Sequence, residues 1–189
     1  MTGPQDRMTM IGPTSAEETL RILRSVRSVR DFRPDPVPDE ALDAILDVAR
    51  WTGSGGNAQP WTFVVVRERA TLAAIAAASP NAGHVGSAAA AIVIVMPNQQ
   101  PSIETFDEAR AAERILIAAT TLELASAIGW IMPDAQPEVA RLLGVPGGMR
   151  VRTLVSLGYA TESGARPKSA PGQARRLLET FVRQERFAE

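Results

Sequence analysis

Apolar positions recur at helical spacing in two early stretches of the chain. Leu20, Leu23 and Val26 follow Ser15 and Glu18, a pair with capping-box spacing, and predict a helix over 15–26. Leu42, Ile45, Leu46 and Ala49 share one face of a second helix that starts at Asp39. Pro34, Pro36 and Pro38 enforce an extended connection between them. The pattern then turns strand-like over Trp61–Val66, followed by a short Ala-rich helix over Arg69–Ala78 and a turn over 79–87. Ala90–Met96 is an unbroken, largely β-branched apolar run of the kind that forms a buried strand. Thr105–Ile128 predicts one long helix, apolar nearly all round at 115–119. A helix without a wet face must be covered on every side, and a second subunit is one way to cover it. A short helix over Pro137–Leu143 closed by Gly144, a strand over Arg150–Gly158, a Gly/Pro/Ser-rich arm over 160–174 and a terminal helix over Arg175–Arg186 complete the reading. Few strands among several helices predict an α+β fold.

Composition narrows this picture. At 189 residues, with 45% hydrophobic content, the chain predicts one compact domain over 15–189 behind a disordered tail at 1–14. Net charge of −1 gives no electrostatic case for nucleic acid. The absence of cysteine excludes disulfides, thiol catalysis and thiolate metal sites, and a single histidine argues against zinc. The longest apolar helical stretch is interrupted by Glu123 and two threonines, which favours a core helix over a membrane span. The polar N-terminus lacks a signal-peptide apolar region, so the cytoplasm is the expected compartment.

Two clusters carry candidate chemistry. Arg27, Ser28 and Arg30, in the run Arg27-Ser28-Val29-Arg30-Asp31-Phe32, offer two cations and a hydroxyl to one anion such as a phosphate. They equally suit a solvated basic helix end. Gly53-Ser54-Gly55-Gly56-Asn57-Ala58-Gln59-Pro60-Trp61 is a small-residue loop rich in backbone N–H donors, with Ser54, Asn57 and Gln59 as polar side chains for a planar ring. Gly53, Gly55 and Ala58 formally match a dinucleotide fingerprint, but that motif must follow a strand and open a helix, and here the order is inverted. The loop also suits a plain helix-to-strand connection. Trp51, Trp61 and Trp130 read as core residues. No catalytic side chain, paired-carboxylate motif or metal cluster stands out.

Order and spacing of these pieces resemble the nitroreductase-like flavoproteins. The resemblance rests on Val26 to Phe32, then Val37-Pro38-Asp39-Glu40, then Gly53 to Trp61 and the strand Phe63-Val64-Val65-Val66. It is firm over 15–67 and looser to about 183. Two departures stand out: Val26 replaces the first arginine of an expected pair, and Gly53 replaces a proline. The resemblance implies a mostly antiparallel sheet flanked by helices, in an intertwined homodimer whose C-terminal arm crosses to the partner. It implies FMN as cofactor and NAD(P)H and a small aromatic acceptor, nitroaromatic or quinone, as partners, with hydride passing through flavin N5. It carries Arg27, Ser28 and Arg30 to the phosphate, and Ser54, Asn57 and Gln59 to the ribityl chain or pyrimidine edge. Asn81 and His84 become an amide and a cation at that edge, against an exposed turn as the other reading. From the arm, Lys168, Arg175 or Arg176 would return to the phosphate, Arg175 favoured. A non-catalytic flavin-binding protein of the same fold is the alternative.

Overall fold

The structure is a computed structural model that describes residues 15–167, 169 and 175–187. The elements are α1 (Ala16–Ser25), α2 (Asp39–Arg50), β1 (Thr62–Val66), α3 (Arg69–Ala78), β2 (Ala90–Met96), α4 (Pro101–Thr121), β3 (Ala125–Trp130), α5 (Gln136–Leu142), β4 (Arg150–Gly158) and α6 (Glu162–Ala165). The strands form a sheet of order β1-β2-β4-β3, and every pairing is antiparallel. This is the α+β arrangement that the pattern predicted. The tail at 1–14 lies outside the described residues.

Period-two alternation in β2 sorts the core into two layers. Ala90, Ile92, Ile94 and Met96 pack with Leu42, Ile45 and Ala49 of α2 and with Ala111, Ile115 and Ala119 of α4. Ala91, Val93 and Val95 pack on the opposite face with Leu72 and Ile75 of α3 and Val139 of α5. Both faces of β2 are buried, which is why its sequence reads as a continuous apolar run rather than an alternating one.

The long predicted helix divides. α4 starts at Pro101, a favoured first helical position, and ends at Thr121; Ala125–Trp130 is a strand. Glu123 has φ of 59° and closes α4 by a paired motif: its N–H donates to Thr120 O at 3.1 Å, and Leu124 N–H donates to Ala119 O at 2.8 Å. The same motif closes α5, where Gly144 has φ of 65° and donates to Arg141 O while Val145 donates to Ala140 O. Glycine signals the second stop in the sequence; a glutamate at the first gives no such signal.

Three further expectations change. The 115–119 segment is covered by its own chain: Ile115, Leu116, Ala118 and Ala119 are buried and only Ile117 is partly open. That segment therefore gives no ground for a second subunit. The terminal helix over Arg175–Arg186 is absent; its described residues hold one short turn at Leu178–Thr180. Leu177, Leu178, Phe181 and Val182 are exposed there, and a helix with no surface against which to bury its apolar face has little to stabilise it. Trp51 and Trp130 are 62% and 46% exposed rather than core, each lying under an arginine, Arg50 and Arg152.

Tight packing between β3 and the 80–87 turn supplies a stability test. A Cβ on Gly129 would stand 2.9 Å from Leu154 Cδ1 and 3.0 Å from Ala82 Cβ. Gly129→Ala should therefore destabilise the fold by about 1–3 kcal/mol through overpacking, measured by urea unfolding. A midpoint unchanged from wild type would show that this layer has room to spare.

Candidate functional site

Helix α1 ends at Ser25, so the chain through Arg27, Ser28 and Arg30 is extended rather than helical. Val29 N–H donates to Ser126 O and Arg33 N–H to Tyr159 O, both at 2.8 Å, laying this strip along the outer edge of β3 and the end of β4. Val29 and Phe32 anchor it by burial, with Phe32 stacked where a Cβ on Gly158 would meet its ring at 3.0 Å. On a helix, three-residue spacing would align the two arginines. On an extended strip it turns them to opposite sides.

Arg27 and Ser28 line an open cavity of about 1100 Å³ between the end of α1, the second half of α4 and the arm after β4. Arg24, Arg166 and Arg175 line it as well, together with the hydroxyl residues Ser25, Thr120 and Ser169 and two acids, Glu113 and Glu123. Arg27 Nη2 donates to Ala165 O at 2.6 Å and so fastens the start of the arm across the cavity. Asp31 Oδ2 accepts hydrogen bonds from Ser163 Oγ and, at 2.5 Å, from Thr161 Oγ1. Those two hydroxyls, Ser163 foremost, hold the Asp31 carboxyl below its ordinary range. Lys168 lies outside the described residues.

Arg30 is not part of that lining. Its charge reaches His84, in the 80–87 turn on the other face of the sheet. His84 Nδ1 lies 2.9 Å from Ser156 Oγ, which itself lies 3.2 Å from Ala127 O. Nε2 is buried and has no partner among the described residues. Burial and then the Arg30 charge hold the imidazole below its usual value, partly offset by the backbone of Ile128. Both effects disfavour the charged form of His84 in the chain as it stands, whereas the family resemblance casts it as a cation at the ring edge. Asn81 is exposed in the same turn.

The Gly53–Trp61 loop lies elsewhere again, against the first half of α4. Its conformation is internally braced: Gln59 N–H donates to Ser54 Oγ at 2.8 Å, Asn57 N–H to Ser54 O and Ala58 N–H to Gly55 O. Gly56, Asn57 and Gln59 all have positive φ, at 57°, 56° and 48°. Left-handed backbone suits glycine, is tolerated by asparagine and is strained for glutamine. The Asn57 and Gln59 side chains are exposed.

The predicted residues therefore fall into three groups: Arg27, Ser28 and Arg175 at the cavity; Arg30, Asn81 and His84 around the 80–87 turn; Ser54, Asn57 and Gln59 on the loop. Sequence reasoning missed Arg24, Arg166, Glu113 and Thr120 at the cavity. Arg24 could have been found as a basic residue in the last turn of α1; the others give no local signal. Glu123, whose left-handed backbone closes α4, also lines the cavity.

The Nitroreductase family model matches residues 23–100. A protein of Archaeoglobus fulgidus described as an NADH dehydrogenase/NAD(P)H nitroreductase is 33% identical over 152 residues, which cover 76% of this chain and 86% of that protein. Among solved structures, an FMN-dependent nitroreductase from Clostridium difficile R20291 superposes with a TM-score of 0.78 at 23% identity, over 89% of this chain and 99% of that one. The NADPH:FMN oxidoreductase from Vibrio harveyi, in complex with NAD+, superposes with a TM-score of 0.78 at 22% identity, over 90% of this chain and 78% of that one. This chain belongs to the nitroreductase family.

Its single histidine makes the His84 environment directly measurable. The imidazole NMR titration should fall below the ordinary value of 6.5, and Arg30→Gln should move it upward. A depressed folded-state value means the unfolded chain binds more protons between that value and 6.5. His84 should therefore cost stability as pH falls through that interval, and His84→Gln should remove this part of the pH dependence. A titration at or above the ordinary value would contradict an environment that disfavours the charged form.

Proposed function

We propose that this chain is an FMN-dependent NAD(P)H oxidoreductase that reduces a nitroaromatic, quinone or similar small aromatic acceptor, and that it works as a homodimer in the cytoplasm. The cationic cavity carries the reading. Four arginines, Arg24, Arg27, Arg166 and Arg175, line it with serine and threonine hydroxyls against two carboxylates, a donor set suited to a phosphate. Arg27, Ser28 and Arg175 would hold that phosphate, while Arg30, on the opposite side of the strip, would face the ring edge with His84. Ser54, Asn57 and Gln59, with Asn81 and His84, would supply polar contacts to the ribityl chain and ring edge. When bound, FMN would supply the redox chemistry, taking electrons from NAD(P)H and giving them to the acceptor. The chain's own task is to bind, orient and tune; no residue need act as an acid.

A second copy is the simplest way to complete the site. No residue of the Gly53–Trp61 loop lines the cavity of its own chain, although both sit on α4. The C-terminal residues also leave Leu177, Leu178, Phe181 and Phe187 at 57–85% exposure, and α1 exposes Leu20 and Leu23. Apolar surface of this extent calls for a cover. A partner related by two-fold symmetry would cover it and bring each loop to the other chain's cavity.

One observation favours the non-catalytic alternative. Only residues 97–100 separate β2 from α4, so no segment there can close over an acceptor. Steady-state oxidation of NADH and NADPH with a nitroaromatic or quinone separates the two readings. Turnover supports the enzyme; tight FMN binding without turnover supports the binding protein.

The phosphate assignment predicts that FMN binds more tightly than riboflavin. Charge-assisted contacts are worth about 1.5–3 kcal/mol each, so Arg27→Ala should weaken FMN binding by roughly ten- to a hundredfold and leave riboflavin unchanged. Equal affinity of the wild-type protein for both flavins would refute it. The dimer predicts that unfolding depends on protein concentration; sedimentation of a stable folded monomer at micromolar concentration would count against it.

A further inference from the structure

We propose that Asp107 and Arg110 of α4 are positioning residues that fix the Gly53–Gln59 loop for contact with the cofactor ring, an inference that rests on the flavin reading above. Three acids in the first half of α4 are buried: Glu104, Asp107 and Glu108. A carboxylate is costly to bury unless partners meet it; Glu104 and Glu108 share Arg150, and Asp107 has partners of its own. Glu104 accepts from the backbone N–H groups of Asn98, Gln99 and Gln100 at 2.8–2.9 Å and so shapes the turn that opens α4. Glu108 holds Arg150 and Arg152 of β4 at 3.0 and 2.5 Å. Asp107, whose side chain is 6% exposed, instead faces the loop. Its Oδ2 accepts a long hydrogen bond from Gly55 N–H at 3.4 Å, and its Oδ1 lies 3.8 Å from Arg110 Nη1.

Arg110 occupies the space that a side chain at Gly53 would need: a Cβ there would stand 2.7 Å from Arg110 Nη2. Gly55 packs over Ile103, with its Cβ position 3.6 Å from Ile103 Cγ2. The front of the loop is thus tacked to α4 at two glycines. The rear carries the left-handed Asn57 and Gln59, and such backbone persists only where its surroundings over-determine it. Removing the tack should let the loop relax and move the Asn57 and Gln59 side chains together.

Such a role touches the ring contacts and not the phosphate contacts, which gives it a signature that a general loss of stability would not produce. FMN and riboflavin binding are measured by fluorescence titration on wild type, Asp107→Leu, Asp107→Asn and Gly53→Ala, each checked for native circular dichroism and cooperative unfolding. Asp107→Leu should weaken FMN and riboflavin by the same factor, about tenfold or more. Asp107→Asn keeps an acceptor for Gly55 N–H and should stay within about threefold of wild type. Gly53→Ala displaces only the end of the Arg110 side chain and should give a smaller parallel loss for both flavins. A folded Asp107→Leu protein with wild-type affinity for both flavins, or with a loss confined to FMN, would overturn the proposal. Should Asp107→Leu not fold, a folded Gly53→Ala protein with wild-type affinities would overturn it instead. A wild-type protein that binds neither flavin would overturn the flavin reading itself, and this proposal with it. Wild-type binding with indifferent variants would sink this proposal alone.

Discussion

Two backbone hydrogen bonds, Val29 to Ser126 and Arg33 to Tyr159, set the terms for the rest of the site. They convert the chain after α1 from a helix end into an extended strip on the sheet edge, locked by the burial of Val29 and Phe32. Arg27 then faces the α4 side, where the arm after β4 closes over it, and Arg30 comes within electrostatic reach of His84 on the other side. The strip divides the chain's candidate charges between two faces of one sheet. Had the helix continued to Arg30, both cations would have converged and His84 would have stood apart from them.

Helix α4 performs the second division. Its first half bears the loop through Ile103, Asp107 and Arg110; its second half walls the cavity through Glu113, Thr120 and the Glu123 stop. At about 1.5 Å of rise per residue, Asp107 and Thr120 lie about 20 Å apart along the axis. A single helix, buried along one side against β2 and β4, thus carries the loop on its first half and the cavity wall on its second. The exposed apolar residues of α1 and of the C-terminal segment are the independent ground on which the proposed composite site rests.

Most of the fold was legible because burial imposes simple periods. The α3, β2 and β4 bounds could be read directly, since each is a run of one period bounded by proline, glycine or polar residues. The split of the long helix was not legible, because its stop depends on a left-handed Glu123 where sequence signals rest on glycine or asparagine. The terminal helix failed for a different reason: its pattern is amphipathic, but a single chain gives that face nothing to cover. Of the candidate site, residue types were readable and directions were not. Whether Arg27 and Arg30 converge depends on helix against strand at three residues, and the direction of the His84 shift depends on burial and on the Arg30 charge, both fixed by tertiary contact. Asp107 and Arg110 were invisible because their meaning lies in which glycines they touch.

The central claim is that cavity and loop of one cofactor site belong to different chains. Subunit complementation tests it most directly. An Arg27→Ala chain keeps an intact loop, and an Asn57→Ala/Gln59→Ala chain keeps an intact cavity. Each alone should leave FMN largely unbound at a concentration just above the wild-type dissociation constant. Unfolded together and refolded as a mixture, they should form hybrid dimers in which one of two sites is whole, restoring bound FMN to about a quarter of the wild-type stoichiometry. Binding in the mixture equal to the mean of the two separate variants would place cavity and loop contacts in the same chain and contradict the account.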